Sequence, residues 1–439
     1  MATPSSLLSV NGLKPLTSPG TPGKDLGLFR PGRLTPMASR FSRFVRSSLG
    51  AVLFAGAGSA CGLAIIALFM LTGCETAPEP KPIVVQRPVI DGEGKEGPAK
   101  TDDSNAGEAL LKQIDDALDY TYDNRRLDLK DQAAWQMIHG ALAFKRAFQV
   151  RNGDKDVSAL DHVLNGGKMK GWNLVRGELL DEKTERYGVR ALLEEGTKAG
   201  QGHTDQWLGY LCDCGMPLDE MVMCEGKKHT LDDYITQAER DVHINRAKEY
   251  TWTLMALSAY RKPGYTWKAG DGTEWSIEKL VEIELEYDLD SSACGGSHRM
   301  FGLTMARDRH VAAGGKLDGI WEKCDTKIKN CIARAKELQN PDGSLSSNYF
   351  ARPGMSADLA QAMGAAGHVM EFLAASMTKE QLEEEWARRA VASVCGVFRK
   401  TKPVDVECGA LFHAAHGLRL YRFKVYGPRT FGDEQMAAK

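Results

Sequence analysis

From about residue 107 almost to the C-terminus, apolar positions recur three and four residues apart, the period of a helix lying on a core. Gly and Pro punctuation, with cap patterns such as Ser276-Ile277-Glu278 and Thr378-Lys379-Glu380, divides the stretch into predicted helices. They fall near 107–119, 131–149, 155–164, 202–214, 231–241, 247–260, 276–287, 295–312, 316–339, 357–374, 379–398 and 407–424. Their character alternates. Those near 107, 155, 231, 276, 316 and 379 carry charge on one face, as outer helices do, while those between them are rich in Gly, Ala, Met and Leu. A helix apolar nearly all round is a buried one. Residues 172–193, 217–230 and Thr266–Trp275, the last with a Gly270-Asp271-Gly272 turn, read as short β-hairpin insertions.

The buried-type helices repeat one another. Cys294–Arg309 is echoed by Cys408–Arg422: His298–Arg307 aligns with His413–Arg422 without a gap, matching Gly302 to Gly417, Leu303 to Leu418 and Arg307 to Arg422. A diverged copy aligns Thr251–Leu257 with Ser297–Leu303 and extends back to pair Gly226 with Gly272. Repetition near fifty residues means stacked supersecondary units. Six pairs of one outer and one inner helix predict an all-α protein, an (α/α)6 toroid whose inner helices surround a central cavity. Gln339-Asn340-Pro341-Asp342-Gly343-Ser344-Leu345 resembles one degenerate copy of the glutamine–tryptophan motif of squalene and terpenoid cyclases, with Leu345 in the tryptophan's place. Those cyclases share the toroid with protein prenyltransferases. The longer stretches resemble a bacterial family of uncharacterised secreted and lipoprotein toroids, some of whose members are labelled ADP-ribosylation factor-directed GTPase activating proteins. That label implies a four-cysteine zinc module, and Cys212-x-Cys214 with Cys224 lacks its paired spacing.

Upstream of the helical region the composition changes. Residues 1–36 are Pro-, Gly-, Ser- and Thr-rich and read as disordered or, if Met37 is the true start, untranslated. Residues 37–73 run from Arg40, Arg43 and Arg46 into an almost uncharged apolar stretch, the logic of a secretory signal. Its end, Leu71-Thr72-Gly73-Cys74, resembles a bacterial lipobox, which implies lipidation of Cys74 and an extracytoplasmic envelope protein held at the lipid membrane. The alternative is a single N-terminal transmembrane anchor. Residues 74–106 read as a flexible tether, 107–426 as the toroid and 427–439 as a C-terminal tail.

Across 439 residues, 43% hydrophobic and 26% charged, a net charge of −2 offers nothing to nucleic acid. Ten cysteines are too few for a disulfide scaffold, so a hydrophobic core carries the stability. One disulfide among Cys212, Cys214 and Cys224 is an open expectation; the oligomeric state is open too.

The repeat alignment selects the candidate chemistry. The position four before the small residue of each inner helix reads Gln136, Asp205, Trp252, His298, His368 and His413, a polar ring where a purely structural one would be apolar. In an acid–base reading His298 and His413 are base and acid, Asp205 or Glu407 the carboxylate partner, and Arg299 a charge neutraliser, with His416 nearby. By analogy of fold that set suits a polysaccharide lyase or hydrolase-like enzyme on an envelope or imported glycan. Trp267 and Trp275 are then a stacking platform, and His368, Trp252 and Gln136 further ligand contacts. The competing readings are a non-catalytic binding or scaffold lipoprotein and a terpenoid cyclase- or prenyltransferase-like protein. No cofactor is assigned; zinc is the metal that His298, His368, His413, Asp205 and the helix-start Cys294 and Cys408 would take, if any.

Overall fold

A computed structural model describes residues 103–245 and 249–432. The predicted leader, Cys74, the tether up to residue 102 and the tail from 433 lie outside the described residues. So does the start of the helix expected from 247.

Thirteen α-helices are described: α1 Asp103–Asn124, α2 Ala134–Phe144, α3 Ala159–Leu164, α4 Gln206–Asp213, α5 Leu231–Asp241, α6 Thr251–Tyr260, α7 Ile277–Glu286, α8 Ser297–Ala312, α9 Gly319–Glu337, α10 Leu359–Ser376, α11 Lys379–Leu382, α12 Glu385–Thr401 and α13 Cys408–Tyr426. Each of the twelve expected helices is present. The eleventh is broken in two at Glu383-Glu384, after a capping box in which Thr378 Oγ1 and Gln381 satisfy each other's backbone N–H.

The strands form four separate two-stranded antiparallel hairpins: β1 Gln149–Asn152 with β2 Lys155–Ser158, β3 Leu174–Asp181 with β4 Arg186–Ala191, β5 Met221–Cys224 with β6 Lys227–Thr230, and β7 Thr266–Lys268 with β8 Glu274–Ser276. Three were expected. The β1–β2 hairpin takes the last residue of the helix expected over 131–149 and the first four of the one expected over 155–164, because the chain turns at Gly153-Asp154, with Gly153 at φ +63°. In three hairpins the last strand runs into an outer helix through a hydroxyl N-cap: Ser158 for α3, Thr230 for α5, Ser276 for α7. The sequence repeat is this hairpin–cap–helix unit.

The helices expected to be inner pack on one another in succession: α2 on α4, α4 on α6, α6 on α8, α8 on α10, α10 on α13, and α13 back on α2. The others lie against them, α3 on α2, α5 on α6, α7 on α6, α9 on α8, α12 on α10, and α1 on α12 and α13. The repeated small residues permit the close approaches. A Cβ on Gly367 would meet Ala414 N at 2.6 Å, one on Gly302 would meet Thr251 at 3.0 Å, and one on Gly209 would meet Trp252 at 3.0 Å. Gln339, from the cyclase-like segment, donates to Gly343 O at 2.9 Å and Trp386 O at 2.7 Å, tying the end of α9 to the start of α12. No helix among the described residues is long and apolar enough to cross a membrane.

Candidate active site

Inner-helix N-termini and their preceding loops enclose a cavity of about 320 Å³, lined by His139, His203, His298, His368 and His413 with Cys294 and Tyr349 among others. Neighbouring imidazoles lie close: His368 to His413 3.9 Å between ring centres, His298 to His368 5.0 Å, His139 to His413 5.1 Å and His203 to His298 5.3 Å. A larger hollow of about 640 Å³ near Gly166 and Trp172 holds neither histidine nor cysteine. The chemistry converges on the smaller one.

Each ring is fixed through one nitrogen. His139 Nδ1 bonds Trp135 O at 2.5 Å and His368 Nδ1 bonds Gly364 O at 2.7 Å, both one helical turn back. His203 Nδ1 bonds Glu249 at 2.6 Å, and His413 Nδ1 bonds both oxygens of Glu371 at 2.9 and 2.8 Å. A proton held at Nδ1 in this way leaves the Nε2 lone pair as an acceptor, which at His139 takes the Tyr210 hydroxyl at 3.3 Å. His298 differs: it is 6% exposed and neither ring nitrogen has a hydrogen-bond partner, the nearest carboxylate being Glu249 at 3.8 Å from Nδ1.

Behind His413 runs a buried chain of alternating charge. Glu371 also bonds His416 Nδ1 at 2.8 Å; His416 Nε2 faces Asp213 at 3.4 Å; Asp213 pairs with Lys145 at 2.5 Å. Burial alone would raise the Glu371 and Asp213 carboxyls, but His413 and His416 for the first and Lys145 and His416 for the second hold both well below the usual range. Burial would lower His416; its bonds to Asp213 and Glu371 outweigh this and raise it. His413 goes the other way, down to about 3, because burial and the adjacent His368 outweigh Glu371.

The linkage has a definite sign. Carboxylates depressed in the folded state contribute stability that is present above their unfolded values, about pH 4, and lost as pH falls. A raised histidine contributes stability below about pH 6.5 that is lost as pH rises through its folded value. His413, lowered to about 3, has the opposite sign: unfolding frees it to take up a proton below about pH 6.5, so it costs stability there and offsets His416. The urea midpoint should therefore drop steeply below about pH 4, where the depressed carboxylates take up protons on unfolding. The acid limb should flatten in Glu371→Gln and Asp213→Asn; an unchanged limb in both would remove these groups from the account.

The backbone is strained where it meets the cavity. Lys198, Cys294 and Tyr349 line it at φ +51°, +50° and +55°, and Asp205, between the lining residues His203 and Gln206, sits at φ +59°. Such left-handed non-glycine residues cost about 1–3 kcal/mol each and gather at functional sites. Cys294 opens a run of three, with Gly295 and Gly296 at φ +58° and +73°. A Cβ on Gly295 would meet Tyr349 at 2.4 Å, so only glycine admits the approach.

Of the residues proposed from sequence, His298, His368 and His413 meet at the cavity, and Glu407 lies at its edge, capping α13 through Ala410 N and facing Lys198 at 3.4 Å. His416 stands behind His413, and Trp252 packs against His298 with ring centres 5.2 Å apart. The others are placed elsewhere. Gln136 caps α2, accepting from Ala133 N. Asp205 accepts from Thr253 Oγ1 at 2.5 Å off the cavity, its carboxyl raised by burial to about 6. Arg299, one residue past His298 and so about 100° round the helix, is turned into a buried pair with Glu284 at 2.8 Å. Lys198 is the cation in the lining instead. Trp267 and Trp275 are buried in their hairpin, their indole N–H groups donating to Glu239 O and Thr273 Oγ1, and form no platform. The eight described cysteines are all free, so Cys212, Cys214 and Cys224 form no disulfide.

The sequence reading passed over His139, His203, Glu249, Glu371 and Tyr349. His139 and His203 lie three residues after Gln136 and two before Asp205, close enough that a shifted repeat alignment would have found them. Comparison with protein-family models, curated proteins and solved structures finds no match to this chain.

Proposed function

We infer that the described domain is an (α/α)6 toroid acting as an enzyme, in which His413, backed by Glu371, moves a proton on a polar substrate of glycan class, by elimination or hydrolysis. The observation carrying this reading is the Glu371–His413 pair: a buried carboxylate fixes the proton at Nδ1 and leaves Nε2 as acceptor on a cavity wall. A cavity of about 320 Å³ is of small-ligand size. The five histidines gathered on its walls favour catalysis over a scaffold. The succession of inner-helix contacts, closing from α13 onto α2, supports the toroid.

Asp205 is off the cavity, so the opposed carboxylates of an ordinary glycosidase are replaced here by a histidine acceptor with Lys198 as the nearby cation. That favours elimination next to a uronate carboxylate, with Lys198 neutralising the acid. The test is a polysaccharide panel, neutral and uronate-containing, assayed for unsaturated products and for new reducing ends. Unsaturated ends mark a lyase and saturated ends a hydrolase; no cleavage and no binding of any member would sink the glycan reading.

On the same reading the enzyme is held at the envelope membrane through lipidated Cys74. Cys74→Ser should move it from the membrane fraction to the soluble one and abolish labelling by a tagged fatty acid. Persistence of the variant in the membrane fraction would point to the apolar run itself as an anchor.

A further inference from the structure

We propose that Cys294, His298 and His368 bind one zinc ion at the wall of the cavity. Their ligating atoms, the Cys294 Sγ and one nitrogen of each ring, lie within 4.8 Å of one another. Tetrahedral zinc at about 2.3 Å from sulfur and about 2.0–2.1 Å from nitrogen needs its ligand atoms about 3.3–3.7 Å apart, so a small closure of side chains completes the triangle. One thiolate with two imidazoles is a borderline-soft set that selects zinc over magnesium or calcium. Three protein ligands leave a fourth position open to the cavity, the pattern of catalytic rather than structural zinc.

Three further observations point to a ligand here. His298 is 6% exposed with both ring nitrogens unpartnered, in a protein where the other cavity histidines are each tied by at least one nitrogen. An orphaned buried polar group costs stability unless something occupies it. The outer partners are also those of metal-bound histidines: Gly364 O holds His368 Nδ1 at 2.7 Å, and Glu249 faces His298 Nδ1. Finally, the left-handed run Cys294-Gly295-Gly296 stores strain at the residue that supplies the sulfur. A second grouping, His203, Glu249 and His298, shares the central histidine, but His203 and Glu249 already satisfy each other at 2.6 Å. The cysteine-containing set is therefore favoured, with Glu249 as orienting partner.

The proposal goes beyond the glycan reading and does not depend on it, since zinc binding is read without substrate. The full-length chain, purified in detergent and stripped with a chelator, is titrated with Zn²⁺ and Co²⁺. Expected are one Zn²⁺ per chain and, with Co²⁺, a thiolate-to-metal charge-transfer band that Zn²⁺ competes away. Cys294→Ser should remove the band, and Cys294→Ser, His298→Asn and His368→Asn should each weaken Zn²⁺ binding by at least about tenfold. Cys408→Ser, at another inner-helix start, should change neither. Should a variant fail to fold, wild-type protein gives the same answer: Zn²⁺ must slow alkylation of Cys294, located by peptide mapping. No stoichiometric Zn²⁺, a band that survives in folded Cys294→Ser, or alkylation of Cys294 indifferent to Zn²⁺ would each overturn the site.

Discussion

Glu284→Ala should lower the unfolding free energy by about 3–5 kcal/mol, enough to leave much of the chain unfolded at moderate temperature. Glu284 is wholly buried and serves three donors at once: Tyr250 N at 2.6 Å, Thr251 Oγ1 at 3.1 Å and Arg299 Nη1 at 2.8 Å. It thus satisfies backbone at the start of α6 while neutralising a guanidinium that is 5% exposed and stacked over Tyr287 at 4.3 Å. Burial raises the Glu284 carboxyl even with Arg299 beside it, which shows how little water reaches the pair. Removing the acid strands a buried positive charge and a backbone donor together, which is the costly case. Removing both charges is the cheaper one, so Glu284→Leu with Arg299→Leu should recover the part of the loss due to the charge, while the Tyr250 N–H stays without its acceptor. Urea midpoints of the single and double variants check this; a single variant within about 1 kcal/mol of wild type would mean that water reaches the site after all.

The second large effect is on turnover. On the proposed reading, His413→Asn should reduce kcat by about 10²–10⁴-fold on a substrate that the protein turns over. Glu371→Gln should come close to that loss, because burial holds His413 at about 3 and only Glu371 favours the imidazolium formed in the transfer. Asp205→Asn should leave kcat within about threefold, a contrast that the opposed-carboxylate scheme would reverse. Rates with KM resolved separate these cases; a Glu371→Gln enzyme as fast as wild type would leave His413 without its partner and the mechanism without its base.

The helices were legible because inner and outer members differ in composition, a difference imposed by having no solvent face. The site was half legible. A repeat alignment reports which backbone positions are equivalent, and it correctly brought His298, His368 and His413 to one place. It does not report rotation: Arg299, adjacent to His298 in sequence, faces the outer layer and Glu284 instead. Nor does it report partners supplied from other helices. Glu371 on α10 serves His413 and His416 on α13, more than forty residues away; the sequence signal for it is that it stands as the one acid in the apolar run of a buried-type helix, but that signal does not name its partners. The Gly153-Asp154 turn was readable in principle, but the strong apolar run of α2 ahead of it masked the hairpin.

Two of the groups behind the proposed chemistry, His413 and His416, belong to α13, which follows every other described helix in the chain and rests on α2, one of the first of them. A chain delivered from its N-terminus onward therefore leaves α2 without this neighbour until α13 arrives, with the slow search that long-range contact entails. Until then Cys294, His298 and His368 are present but His413 is not. On the proposed reading, this order of assembly withholds the proton acceptor until α13 docks, so that the site is completed in one late step.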